Sequence, residues 1–430
     1  MSPRLSKLLN LSVRAATLGS RFLFVFFLAK LLSPEEVGIY GLVTASVGYA
    51  LYLVGLDFYT FTTRELVNTD KSGWGFVLKN QAALSLLLYA VVLPLSLLVF
   101  VSDLLPWGVA KWFFVLIVLE HICQELGRLF VAVNEQLFAS ILLFLRQGSW
   151  AVVVAALMFM AQGFRHLDTV FLAWVSAATA AVLLGVFKLY LLRIGGWRKS
   201  VDWSWIWRGV KIAVPLLLAT LAIRAVFTVD RYWLQSLVDL SAVGAYVLFF
   251  GISGTLMAFL DAGVFAYQYP AMIKAYHARK PVEFQKLVRT LLTHTLVVSL
   301  GFAAVSLVVL PFLLDWIGNP VYGRYQHLYP WLLAAMLLNG LSMVPHYALY
   351  AQKKDRPIVQ SHIWSFPFFC LVTWLVSRHN PGLAVPVGLC LSQLLILVWK
   401  SVMYWLVTDK GYRWPGRPVI AALQAESKTV

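Results

Sequence analysis

The chain has 430 residues, 60% of them hydrophobic and 13% charged, with a formal net charge of +16 at pH 7. Soluble domains carry about 25% charged residues, and a chain this poor in polar surface cannot face water all round. A soluble globular protein is excluded, and the positive charge is tested first as a membrane-topology signal before nucleic acid is considered.

The N-terminus places Arg4 and Lys7 ahead of a long apolar run that itself contains Arg14 and Arg21. The run is too long for a cleaved leader and lacks a small-residue cleavage site, so it reads as a retained first span. A spanning helix needs about 20 mostly apolar residues. Twelve segments meet that need, at 8–32, 37–59, 77–100, 108–133, 138–160, 168–192, 207–234, 241–265, 287–314, 329–351, 357–377 and 382–407. The longest linkers are 193–206 and 266–286.

Between the first two spans, Ser33-Pro34-Glu35-Glu36 is a helix start, with a cap, a first-turn proline and acids at the positive end of the dipole. Asp57 sits at the end of the second span and Arg64 just beyond it. The fourth span reads LEHICQELGRLF, which puts Glu120, Gln124 and Arg128 one turn apart on one face, with His121 and Glu125 beside it. The fifth adds Arg146 and Gln147, the seventh Arg224, Asp230 and Arg231, and the eighth ends near Asp261. Arg14/Arg21 and Arg224/Arg231 share the same spacing, close to two turns, so each pair shares a helix face.

An ionisable group at membrane depth costs about 2.5–3.5 kcal/mol and normally faces a cavity or a partner. The arginines Arg14, Arg21, Arg64, Arg128, Arg146, Arg224 and Arg231 are therefore candidate substrate-binding residues. Asp57, Glu120, Glu125, Asp230 and Asp261 are candidates for ion coupling. Purely structural roles compete with these. Arg128 can pair with Glu120 or Glu125, Asp230 with a neighbouring arginine, and Arg14 and Arg146 can snorkel. Cys123, Cys370 and Cys390 lie in apolar runs and read as buried small hydrophobes.

The loops orient the chain. Inner segments carry basic groups such as Arg193, Arg198 and Lys199, or Lys353, Lys354 and Arg356, whereas the outer loops hold Arg165, Arg324 and Arg378. Basic residues resist translocation, so both termini are expected in the cytoplasm. Most of the net charge is then topology, and nucleic acid drops out as a partner.

One phrase occurs twice. LLSPEEVGIYGLVTASVG starts at Leu31 and LVDLSAVGAYVLFFGISG at Leu237, and Val37/Val243, Gly38/Gly244, Tyr40/Tyr246, Leu42/Leu248 and Gly48/Gly254 are identical in that register. Gly38 and Gly244 permit close helix approach, and Tyr40 and Tyr246 suit the outer interface. Six spans separate the copies, so both halves insert the same way. The expected fold is an all-α membrane protein of two six-helix bundles, 1–200 and 201–430, related by a pseudo-twofold axis along the membrane normal. Two arginine stripes so related would meet across a central cleft. A guanidinium fork suits phosphate, which points to an anionic head group.

The chain resembles the oligosaccharidyl-lipid branch of the multidrug/oligosaccharidyl-lipid/polysaccharide exporter superfamily, with the closest look to O-antigen and polysaccharide-unit flippases. The resemblance rests on length, twelve spans, two halves, LLSPEEVGIYGLV at the first outer turn and GLDFYTFTTRELV at the end of the second helix. It implies a V-shaped alternating-access transporter in the plasma (cell inner) membrane. The cargo it implies is an undecaprenyl-pyrophosphate-linked oligosaccharide, moved to the outer leaflet for O-antigen, capsule or exopolysaccharide synthesis. The family's cationic cavity maps onto Arg21 and Arg224, with Arg64 near the cytoplasmic entrance. Implied partners are the polyprenyl-pyrophosphate-linked sugar, membrane lipids, and polysaccharide polymerase with its chain-length machinery. The two extra helices of the peptidoglycan-precursor branch are missing from these twelve spans.

Other readings stay open. A cation-coupled drug exporter of the same superfamily would use the membrane carboxylates. A membrane enzyme needs catalytic groups in a sizeable outer loop, but the outer loops are short, and no residue is read as catalytic. His121-x-x-x-Glu125 has helical metal-ligand spacing without a third ligand, so neither metal nor cofactor is expected. A scaffold leaves the embedded charge unexplained. The topology predicts that a cysteine at position 36 is labelled by an impermeant reagent from outside the cell and one at position 354 is not. The reverse pattern refutes the orientation.

Overall fold

The computed structural model describes residues 3–415, and all regular structure among them is helical. Twelve long helices run in chain order. They are α1 Pro3–Leu31, α2 Pro34–Gly55, α3 Trp74–Ser96, α4 Ala110–Ala132, α5 Gln136–Met160 and α6 Leu167–Leu191, then α7 Trp203–Leu237, α8 Leu240–His277, α9 Pro281–Ile317, α10 Tyr329–Ala351, α11 Arg356–Ser377 and α12 Pro381–Val407. Ten are long and apolar enough to cross a membrane. An eleventh, α7, bends by 49° between Trp203–Pro215 and Leu217–Leu237, where Pro215 lacks a backbone donor and crowds the preceding turn. The twelfth, α4, has the length but carries Lys111, Glu120, Glu125 and Arg128. Outward faces are apolar, as with Leu300, Val308 and Phe312 of α9, 62–70% exposed. The protein is a multi-pass membrane protein.

The chain separates into two compact units between Tyr232 and Trp233, within α7. In the first unit, Phe58, Phe61, Leu84, Leu129, Trp205 and Ile206 form a core that binds the end of α2 to the start of α7. Gly209 has no room for a side chain there, since a Cβ would stand 2.4 Å from the Phe58 ring. A second core holds Cys123, Leu126, Phe130, Leu142, Ala178 and Ala181. The Cys123 thiol donates to the Ala178 carbonyl; the three cysteines are free, with Cys123 and Cys390 buried as expected and Cys370 only partly so.

The 193–202 linker is tied down. Gly75 N–H donates to the Gly195 carbonyl at 2.7 Å, and Lys79 Nζ donates to the carbonyls of Trp197 and Lys199 at 3.3 and 2.9 Å. Asp202 starts α7 by accepting from the Ser204 hydroxyl at 2.7 Å and the Trp205 N–H at 3.0 Å. The Ser204 hydroxyl and the backbone donors hold its carboxyl below the usual range.

In the second unit, α11 and α12 pack through small residues. Ser361, Ser365 and Ser392 turn their hydroxyls back to their own helix carbonyls at 2.7–2.8 Å, leaving smooth faces that approach closely. Gly388 faces Thr373, where a Cβ would stand 2.1 Å from the threonine Oγ1.

The repeated phrase has the same local structure in both units. Ser33 caps α2 by accepting from Glu36 N–H, with the reciprocal Glu36 bond completing a capping box. Asp239 caps α8 by accepting from Ala242 N–H. Ser33 and Asp239 occupy equivalent places in the 206-residue register, and so do Glu36 and Ala242. Partial burial pushes the Asp239 carboxyl up, but bonds from Ala242, Ser241 and Tyr325 outweigh it and hold the group below its ordinary value. Tyr246 departs from expectation. It is 0% exposed and stacks on Phe250 at 6.0 Å, so its ring serves packing rather than the interface.

The second helix of each unit also loses regularity at one repeat position. Helix α2 ends at Gly55, followed by Leu56 and Asp57 at φ 51° and 48°. The residue 206 positions after Gly55 is Asp261, which begins a π-helical turn, Asp261–Phe265, in α8. The tight α11–α12 contact predicts that Gly388→Leu destabilises by about 1–3 kcal/mol, as overpacking does. Gly19→Leu, where nothing lies within 4 Å, serves as the control. Thermal midpoints in detergent check this, and equal midpoints refute it.

Candidate functional site

Helices α1 and α5 run side by side, and two rungs join them. Arg14 Nε donates to Ser140 Oγ and Arg21 Nη1 to Gln147 Oε1, each at 3.0 Å. Both rungs span 126 residues, so the helices are parallel and in constant register. Ser140 in turn donates to Asn10. Gly148 permits the close approach, because a Cβ there would lie 3.2 Å from the Thr17 backbone. The partners of Arg14 and Arg21 in these rungs are neutral groups rather than carboxylates.

The other face of α5 works differently. Residues Leu145–Ser149 form a π-helical turn, and Arg146 within it is buried at 8% exposure against Glu120 of α4 at 3%. Arg146 Nε donates to Glu120 Oε2 at 2.6 Å, and Trp174 Nε1 donates to the second carboxylate oxygen at 2.8 Å. Trp150 donates to the Arg146 carbonyl at 2.9 Å and stacks on Trp174 with centroids 5.5 Å apart. The π turn carries Arg146 and Gln147 in succession, one toward Glu120 and one toward Arg21.

One turn along α4 lies a second neutralised pair. Arg128 Nη1 donates to Glu125 Oε1 at 2.6 Å, Gln81 donates to the other oxygen, and the guanidinium lies 3.6 Å over the Tyr59 ring. His121 Nδ1 meets the Tyr89 hydroxyl at 2.7 Å, and its Nε2 lies 4.0 Å from Glu125. Asp57, 6% exposed, sits at the neighbouring break in α2. Glu120, Gln124 and Arg128 read as one polar stripe in sequence, but the structure sends Glu120 to Arg146 and Arg128 to Glu125.

On α7, Arg224 is exposed and lies 5.1 Å over the Tyr52 ring of α2. Arg231 is held by Asp230 at 3.8 Å and by the Phe227 carbonyl at 2.6 Å. Arg64 is exposed on the short helix Tyr59–Val67. The seven arginines therefore divide by charge balance. Arg128, Arg146 and Arg231 each have a carboxylate within 4.0 Å. Among the described residues, none lies that close to Arg14, Arg21, Arg64 or Arg224. The carboxylates divide too: Glu120, Glu125 and Asp230 hold arginines, while buried Asp57 and exposed Asp261 have no basic partner at that distance among the described residues. Among those residues no three His, Cys, Asp or Glu side chains group to hold a metal ion.

The sequence reading passed over Lys400. It is 1% exposed in α12, within electrostatic reach of His346 and His362, whose rings lie nearly parallel at 6.3 Å. The available signal was a lone lysine inside an apolar span.

A family model described as polysaccharide biosynthesis protein matches residues 8–275. No curated protein matches the chain by sequence. Among solved structures, the chain is similar to a multidrug resistance MATE family transporter of the MOP superfamily in its inward-facing conformation, with TM-score 0.75, 13% identity, and coverage of 93% of this chain and 98% of that one. An outward-facing structure of such a transporter matches at TM-score 0.56 and 13% identity, covering 93% and 96%. A MOP superfamily transporter from Pyrococcus furiosus, whose binding pocket has reversed polarity suggesting a different function, matches at TM-score 0.60 and 14% identity, covering 94% and 95%. At these identities the likeness establishes the shared fold.

The division of arginines has a measurable consequence. Arg146→Met strands a buried Glu120 and costs about 3–5 kcal/mol. Arg21→Ala removes an exposed side chain and stays within about 0.5 kcal/mol of the parent. Thermal unfolding of both variants in the same detergent checks this, and equal losses refute the division.

Proposed function

Because the chain belongs to the polysaccharide biosynthesis protein family and has the MOP-superfamily fold, we propose that it is a flippase for a polyprenyl-pyrophosphate-linked oligosaccharide. It moves the lipid-linked sugar from the cytoplasmic to the outer leaflet for polysaccharide synthesis. One observation carries the reading: among the described residues, Arg14, Arg21 and Arg224 have no carboxylate within 4.0 Å, although they lie within the spans. A guanidinium cannot rest against hydrocarbon without a counter-charge, so these groups face a wet path that favours an anionic cargo.

The pyrophosphate is the part of the cargo that hydrocarbon rejects most strongly. The guanidinium fork matches its oxygens, while the polyprenyl tail stays in lipid throughout. The rungs to Ser140 and Gln147 aim Arg14 and Arg21 without neutralising them. Neutral partners also keep the grip weak enough to release, since transport requires binding that does not trap. A cation-coupled drug exporter is the second reading, favoured by Asp57 and Asp261, which have no basic group within 4.0 Å among the described residues. Against it, Glu120, Glu125 and Asp230 are already engaged with arginines.

Charge therefore matters more than size at these positions. Arg21→Glu and Arg224→Glu abolish flipping of a lipid-linked sugar in proteoliposomes while the protein still folds and reconstitutes. Arg21→Lys keeps part of the activity, since the point charge remains and the fork is lost. Near-normal flipping by both reversals removes the arginine-based mechanism and shifts the assignment to the carboxylates.

A further inference from the structure

We propose that the second unit carries a binding site for a phosphoryl anion where α10, α11 and α12 end together. A cavity of about 470 Å³ opens there, with Lys353, Lys354 and Arg356 around it and Met403 and Val407 along its apolar wall. This volume lies within the range of pockets that hold small ligands. It shares no residue with the arginines of α1 and α7 and does not depend on the cargo proposed above.

Lys354 and the backbone that carries Lys353 are held in place before any ligand arrives. Lys354 Nζ donates to the Val407 carbonyl at the end of α12. Gln352 Nε2 bonds Thr408 Oγ1 at 3.1 Å and so fastens the end of α10 to the same place. Lys353 follows with φ +58°, a left-handed turn that closes the helix. Arg356 opens α11, whose first turn has Pro357 and no side-chain cap, so its free backbone donors add positive potential at the cavity.

The local charges favour an anion. Among the described residues, Asp355 is the one acid in the lining. Among the described residues, no carboxylate lies within ion-pair distance of Lys353 or Arg356. Nearby Arg413 is already engaged, donating to the Thr408 carbonyl at 2.6 Å and lying over Trp405. Two exposed cations, Lys353 and Arg356, are thus left for a ligand. The outward faces of α11 and α12 below them are apolar, with Trp364 and Val402 at least half exposed. A bilayer covering those faces brings lipid phosphates to the level of the cavity. A lipid headgroup and free phosphate share the chemistry this site recognises, and binding measurements separate the two.

The test uses the purified full chain, delipidated in detergent, as wild type, Lys353→Gln/Arg356→Gln and Lys353→Arg/Arg356→Lys. Lys354 is left intact because its ammonium fastens the loop. One arm titrates phosphatidylglycerol, with phosphatidylethanolamine as the zwitterionic control, and counts bound lipid by native mass spectrometry. The other titrates inorganic phosphate and follows the thermal midpoint. The glutamine pair is expected to weaken anionic binding about tenfold, leave phosphatidylethanolamine unchanged, and elute as a folded monodisperse species. The charge-conserving pair is expected to bind like wild type. Charge-dependent binding of phosphatidylglycerol alone identifies a lipid site, and a midpoint shift with phosphate identifies a site open to the free anion; both support the proposal. Wild-type affinity for both ligands in the glutamine pair overturns it, as does equal loss in the charge-conserving pair.

Discussion

A guanidinium inside a membrane protein must find either an oxygen or water, and that requirement organises the first unit. Where a carboxylate answers, the arginine becomes a structural tie: Arg146 joins α5 to α4 through Glu120, and Arg128 stays on α4 with Glu125. Where only a hydroxyl or an amide answers, as at Ser140 and Gln147, the arginine is aimed but its field is intact. Both solutions use the same residue type on adjacent helices, and only the partner separates them. A buried tie of the first kind adds little net stability over an apolar pair, yet is costly to break, so it fixes the helix arrangement.

The two halves share more than a phrase. Their second helices are capped at equivalent positions, by Ser33 and Asp239, and interrupted at equivalent positions, at Gly55 and Asp261. The devices differ in chemistry, since one break is a pair of left-handed residues and the other a π turn. Interrupted helices expose backbone groups that a continuous helix would satisfy, and in membrane transporters such places line cavities. The acids nearest the breaks are Asp261, which is itself the register equivalent of Gly55, and Asp57, two residues beyond Gly55.

Much of this was readable in the sequence, for definite reasons. Ser33-Pro34-Glu35-Glu36 is a local code, and local codes survive folding because their partners are three residues away. The spans were legible because hydropathy is additive, and α4 with its four charges and bent α7 with Arg208, Lys211, Arg224, Asp230 and Arg231 strained the pattern. Partner choice was hidden. Glu120 and Arg146 lie 26 residues apart on different helices, and no spacing rule connects them. Tyr246 looked like an interfacial residue because tyrosines often are, but its position was decided by packing against Phe250. Lys400 was overlooked because single charges carry no pattern.

The π turn at Leu145–Ser149 has a consequence for how such chains diverge. A π turn accommodates one residue more than an α turn while leaving the helical arms on either side in place. On one arm Ser140 meets Arg14, and on the other Trp150 stacks on Trp174. A descendant that deletes a residue within the turn could straighten into ordinary α-helix with both contacts kept. Where the lost residue is Arg146 or Gln147, it gives up the side chain now facing Glu120 or the one now facing Arg21. At this place a single-codon deletion sets the tie to Glu120 against the amide that aims Arg21, making it a point where relatives of this fold can part in side-chain arrangement without parting in shape.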